Sequence, residues 1–192
     1  MILWTIQPED VYQEIQDTGV YHCDISRGAM RELLPEYDWL VEQMKKRIGL
    51  PPEGVTYPVW AWYQWEGKRK KPDLRRERWE CGLRGDIYYK LTIEIPDEQV
   101  LLSDFDMWSI ILLHGLLSTT EAENTQLEKR YNALAPEEQK SMRDKNWEGV
   151  FDISPLHNEW MTRGESIQAT FWELRREQIK EARSFKAMSV YP

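Results

Sequence analysis

Residues 57–65, YPVWAWYQW, constrain this chain more than any other segment. Successive strand side chains point to opposite faces, so a strand here puts Val59, Ala61 and Tyr63 on one side and Trp60, Trp62 and Gln64 on the other. Both sides are largely apolar, and such a strand is stable only when each side is covered. The segment therefore predicts a central strand with packing layers above and below its sheet. A chain of 192 residues is long enough to bury a substantial core in one domain. With 41% hydrophobic and 30% charged residues it has the balance of a globular protein rather than a disordered one.

The rest of the pattern builds an α+β domain around that strand. Residues 2–7 read as a strand, and Pro8, Glu9 and Asp10 open a short helix that Gly19 stops. Residues 20–23 form a second short strand, followed by a loop at 26–28. A helix is predicted over 30–48, where Tyr37, Leu40, Val41, Met44 and Ile48 recur at three- and four-residue spacing. Residues 86–95 alternate as a further strand, 100–103 make a short one, and Asp104 is placed to cap a helix over 105–117. Residues 119–145 are polar and charged, and Pro136 splits them into two exposed helices, a helical insertion within the single domain 1–192. Residues 166–174 read as the last long strand, followed by a helical turn at 175–178 and an extended stretch to Phe185. This order predicts a strongly bent mixed or antiparallel sheet with flanking helices, not alternating βαβ units.

The central strand opens directly into a basic run. Between Glu66 and Arg84 there are eight basic and four acidic residues, in a chain whose formal net charge is −8. Aromatic rings beside clustered cations suit a planar group that stacks and a phosphate that is neutralised. Tyr63, Gln64 and Trp65 lie nearest the basic loop and are placed at a pocket mouth. Pro72 and Asp73 form a turn that sets Lys71 against Arg75, a pair suited to pyrophosphate oxygens. The plainer reading makes the aromatics core residues and the basic run a solvated hairpin tip. In LLSDFD, Asp104 and Asp106 could hold Arg75 or a metal, but helix capping accounts for Asp104 without either. Gln168 sits in an otherwise apolar strand and needs a partner if buried. Alternation sets it and Glu173 on opposite faces unless a bulge intervenes. The predicted cleft contains Trp4, Thr5, Gln7, Tyr63, Trp65, Lys71, Arg75 and Gln168, and Asp73 and Asp104 are further candidate ligand-binding residues.

Several classes are disfavoured. The most apolar stretch, residues 110–117, is far too short to span a bilayer, and MILWTIQPED lacks the basic start of a secretory signal. Cys23 and Cys81 show no CxxC spacing, and His22, His114 and His157 are scattered. Free thiols in a reducing cytoplasm and no metal site are the expectation. The acidic balance disfavours a general nucleic-acid coat. Neither GxGxxG nor a P-loop is present.

The blocks MILWTIQP, YDWLVEQMKKRIG, PVWAWYQWEGKRKKPDLR, VLLSDFDMW and IQATFWEL, in order from Met1 to Leu174, resemble an uncharacterised bacterial family, a domain of unknown function. At the level of fold, LWTIQPEDVYQEIQDTGVYHCD looks like the first strand–helix–strand of ADP-ribosyltransferase-like proteins, and ESIQATFWELRREQIKEARSF like their last catalytic strand. In active members of that fold the first strand often carries His or Arg and the last Glu; the corresponding places here hold Thr5 and Gln168. The resemblance implies NAD as cofactor, Gln168 with Glu173 as the candidate catalytic residues, and a nucleic acid or protein as acceptor. Two functional expectations follow. One is a nucleotide- or NAD-binding enzyme of the ADP-ribosyl transferase or hydrolase type. The other is a non-catalytic module that recognises a nucleotide, an RNA end or a protein partner.

Overall fold

The computed structural model describes residues 1–24 and 33–188. Its centre is a six-stranded antiparallel sheet. In chain order its strands are β1 (Ile2–Pro8), β3 (Val59–Gln64), β4 (Ile87–Glu94), β5 (Leu101–Asp104), β8 (Ile167–Phe171) and β10 (Ile179–Lys186). Across the sheet they run β10-β4-β1-β3-β8-β5, so the Trp-rich strand β3 lies between β1 and β8. The expected central strand and the α+β class are both present. Two smaller pairs complete the strands: β2 (Val20–His22) with β9 (Glu173–Arg175), and β6 (Leu156–His157) with β7 (Thr162–Arg163).

Register decides which residues share a face. Val59 pairs with Phe171 and Ala61 with Ala169. These join Leu3, Leu91 and Ile93 in a core closed by Val11 and Ile15 of helix α1 (Glu9–Thr18) and by Tyr21 and Leu174. The opposite face carries Trp60, and there the cover is helical. Helix α2 (Leu34–Ile48) contributes Tyr37, Trp39, Leu40, Val41 and Met44; α4 (Phe105–Leu112) contributes Met107, Trp108 and Ile111. Trp60 meets Tyr37 edge-on at 5.9 Å between ring centroids and lies 5.3 Å from Trp108. The polar helices α5 (Glu121–Asn132) and α6 (Pro136–Asn146) bury none of their own residues fully; Trp39 donates through Nε1 to the Asp144 carbonyl of α6 at 3.1 Å.

Three boundaries differ from the sequence pattern. The expected helix over 105–117 stops at Leu112, although the apolar run continues. His114 turns the chain with φ 59°, and the backbone beyond is claimed by distant side chains. Asn146 bonds both the N–H and the C=O of Leu117, at 2.7 and 2.8 Å, and Trp147 Nε1 donates to the Gly115 carbonyl at 2.8 Å. These bonds replace the helical ones. The expected strand over 166–174 breaks at Trp172. Phe171 and Leu174 enter the same core, which unbroken alternation forbids at three-residue spacing, while Trp172 packs with the helices and donates to the Gly49 carbonyl at 3.0 Å. The helix expected over 30–48 is observed as Leu34–Ile48; its first residues, and the 26–28 loop, lie outside the described residues.

The basic run also differs from a solvated hairpin tip. Asp73 caps a four-residue helix, α3 (Leu74–Glu77), by accepting from the Arg75 N–H at 3.0 Å. The segment folds back across the sheet on the Trp60 side, over β4 and β1, where Lys90 donates to the Pro72 carbonyl at 3.2 Å.

Asp104 is fully buried and serves structure. Oδ1 accepts from the Met107 N–H at 3.0 Å, capping α4, and Oδ2 accepts from the Gly164 N–H at 2.7 Å. Asp104→Ala removes the cap and strands the Gly164 N–H, a loss of about 2–4 kcal/mol. Urea denaturation reads this directly; an unchanged midpoint excludes the role.

Candidate functional site

The predicted cleft is not assembled as one site. Trp4 and Tyr63 are engaged by the protein's own arginine. The Arg69 guanidinium lies 3.7 Å from the Tyr63 ring centroid and 5.3 Å from that of Trp4, while donating to the Tyr63 carbonyl and, at 3.0 Å, to the Ile2 carbonyl. The β3–β8 register shifts between Trp62 and Gln64, so Tyr63 falls at a bulge. Trp65 packs edge-on to Trp62 at 4.5 Å and near Phe105 at 6.0 Å, and Arg76 sits 5.1 Å over its ring. Arginine prefers a flat, weakly hydrated partner, and the basic run supplies two that cover the nearby rings.

The proposed cation pair also separates. Lys71 pairs with Glu181 on β10. Arg75 is held by Asp73 at 2.6 Å, and its hydrogen bonds lower the Asp73 carboxyl to about 2. Glu173 does not join Gln168. It lies on β9 in the smaller sheet, 3.2 Å from His22 Nε2 and within 2.6 Å of Arg175. The strand break at Trp172 is what carries it away.

Two predicted residues do meet, with others that the sequence reading left aside. A cavity of about 350 Å³ lies between the sheet and the segment that begins with α3. Thr5 and Gln168 line it with Trp60, Trp62 and Tyr88 from the strands, and Glu77, Glu80 and Cys81 form the roof. Thr5 Oγ1 donates to the Trp60 carbonyl at 2.9 Å and accepts from Gln7 Nε2 at 2.8 Å. Gln7 thus acts behind the wall, fixing Thr5, which fixes the β3 backbone.

The strand wall carries unpaired polarity. Register sets Trp4, Trp62, Gln168 and Ser103 side by side across β1, β3, β8 and β5. Among the described residues, Trp4 Nε1, Ser103 Oγ and Gln168 Oε1 are buried without a hydrogen-bond partner, as is Trp60 Nε1 two residues from Trp62 on β3. A buried polar group without a partner costs free energy that native structures rarely tolerate. Four such atoms lie on one face of the sheet.

The roof is acidic. Burial, and then Glu80, push the Glu77 carboxyl above its ordinary value. Burial, with Glu77 and Glu80 adding to it, pushes the Cys81 thiol up to about 11, so this cysteine is a protonated wall residue rather than a nucleophile. RRERWEC held the signal for this roof, because residues 77, 80 and 81 share one side of a helical turn. Among the described residues, no group of three or more His, Cys, Asp and Glu could hold a metal ion, and no helix is long and apolar enough to cross a membrane.

An acidic domain with an antiparallel sheet, a helical layer and a tryptophan-walled cavity is thus the setting for any activity. The chain belongs to the family described as Domain of unknown function (DUF3841), whose model matches residues 2–180. No curated protein and no solved structure matches it, so the ADP-ribosyltransferase-like part of the fold expectation has no neighbour to support it.

The Glu77 shift has a definite sign. A carboxyl raised in the folded state contributes stability below its unfolded value, and that contribution is lost as pH rises through the folded value. Glu77→Gln therefore raises the Tm at pH 7 to 8, and the difference from the parent closes as pH falls below about 4. Thermal melts across that range check it; a variant less stable than its parent at pH 8 contradicts it.

Proposed function

We propose that this chain is a nucleotide-binding protein whose cavity under α3 takes the uncharged or cationic planar end of its ligand. The observation that carries this is a cavity walled by Trp60, Trp62 and Tyr88 in which the half-buried amide of Gln168 lies with the Glu77 and Glu80 carboxylates. A planar group that carries both a donor and an acceptor suits an amide wall; an adenine edge has that pattern, and so does the primary carboxamide of nicotinamide. Trp60, Trp62 and Tyr88 supply aromatic wall, and the volume is that of a small-molecule site. Glu77 and Glu80 in the roof repel phosphate but attract a cationic ring. Nicotinamide in its oxidised form is such a ring, which supports NAD as the ligand.

A transferase or hydrolase acting on NAD is the second reading, and Glu77 favours it. NAD supplies a sugar–nicotinamide bond that cleaves when the sugar carbon gains positive character. A half-buried carboxylate in the cavity roof can stabilise that carbon or orient the attacking group, the part that the sequence reading gave to Gln168 and Glu173. Gln168 then holds a neutral group by hydrogen bonding. If no bond is cleaved, the same residues describe a binding module that presents the nucleotide to a protein or nucleic-acid partner.

Intrinsic tryptophan fluorescence tests the binding. Saturable change on titration with NAD is expected, weakened at least tenfold in Gln168→Leu, which loses the acceptor while keeping apolar bulk. No response to NAD, ADP-ribose or ADP by the folded protein rules the reading out. Nicotinamide release then separates the two forms: turnover that Glu77→Gln abolishes while NAD binding persists identifies an enzyme, and binding without release identifies the module.

A further inference from the structure

On the other side of α3 lies a second hollow, of about 340 Å³, that shares no lining residue with the cavity under Glu77. Lys90, Arg78, Arg183 and Arg75 line it, with Asp73 the one acidic residue among its walls. Lys90 is the informative member. Only 8% of it is exposed, yet among the described residues its ammonium has no carboxylate partner; its hydrogen bond goes to the neutral Pro72 carbonyl. Buried charges are ordinarily paired, because removing an ion from water is expensive and only a counter-charge compensates. The nearby carboxylates are committed elsewhere, Asp73 to Arg75 and Glu181 to Lys71. Arg183 is the cross-strand partner of Lys90 in the β10–β4 register, so two cations stand side by side on one face of the sheet. Like charges placed directly opposite are destabilising in a sheet.

We propose that this hollow is a binding site for a phosphate or diphosphate group, with Lys90 as the buried counter-charge and Arg183 and Arg78 as its outer ligands. The charge arrangement asks for an anion with several oxygens: one cation sits at the base, and two guanidiniums flank it with planar forks suited to such oxygens. The direction in which the Lys90 ammonium is perturbed agrees. Burial first, then Lys71 and Arg183, lower it, with Glu181 and Asp73 opposing. The site stands on its own residues, apart from the nucleotide reading. Where both hold, they divide one ligand by charge. Tyr88 walls the first hollow and Lys90 the second; they are two residues apart on β4, about 7 Å by strand rise.

Calorimetric titration with inorganic phosphate, pyrophosphate and ADP tests this. Pyrophosphate is expected to bind the parent in a salt-sensitive manner and to raise its Tm. Lys90→Met keeps the aliphatic stem and removes the charge, so the ligand-free variant melts at or above the parent temperature while pyrophosphate affinity falls at least tenfold. Arg183→Gln, on the outer strand, lowers affinity without unfolding anything. Gln168→Leu leaves pyrophosphate affinity unchanged, which separates failure of the nucleotide reading from failure of this one. Tighter binding of ADP than of pyrophosphate assigns the phosphate to a nucleotide, and the reverse order assigns it to a free anion. If pyrophosphate and phosphate do not bind the folded parent at millimolar concentration, or bind Lys90→Met and Arg183→Gln as they bind the parent, the site does not exist.

Discussion

The structure depends on strand β3 being buried on both sides. Val59 and Ala61 on one face are small enough to let α1 approach the sheet, and Trp60 on the other reaches into the layer made by α2 and α4. Two cores result, one on each side of that strand. Thr5 ties β1 to the Trp60 carbonyl, so the tryptophan that bridges sheet and helices has its backbone held by a side-chain bond as well as by the ladder. A residue locked this firmly can keep an unpaired indole N–H in place without the site collapsing around it.

The sequence made the sheet's middle legible because β3 has only one stable position. The α1 stop at Gly19 and the two polar helices follow equally local rules of capping and periodicity. Other features were set by distant partners and left no local trace. Nothing in the run IILLHGLLS announces that Asn146 and Trp147 capture the backbone from about thirty positions away. Trp172 looks like one more strand residue until its indole is seen to reach Gly49. Gln168 was identifiable because an amide in an apolar strand needs an explanation. Glu77 and Glu80 were hidden because a charge run with both signs looks like solvated surface.

The basic run is also where composition misleads. Eight cations beside an aromatic strand suggest an open stacking platform. Folded, Arg69 covers Tyr63 and Trp4, Arg76 covers Trp65, and Arg75 and Lys71 neutralise carboxylates. These four cations are engaged by the protein's own rings and carboxylates. The linear pattern did not single out Lys90, which strand β4 brings under that roof beside Arg78.

That roof is slight: a helical turn of four residues, pinned at one end by Asp73 and bordering a hollow on each side. Were both proposed ligands to bind, any coupling between them would pass through this turn. Linkage makes this reciprocal: the factor by which an anion tightens the planar ligand equals the factor by which the planar ligand tightens the anion. On the proposed reading, two compartments that share one thin lid would answer most strongly to a molecule that brings both chemistries together.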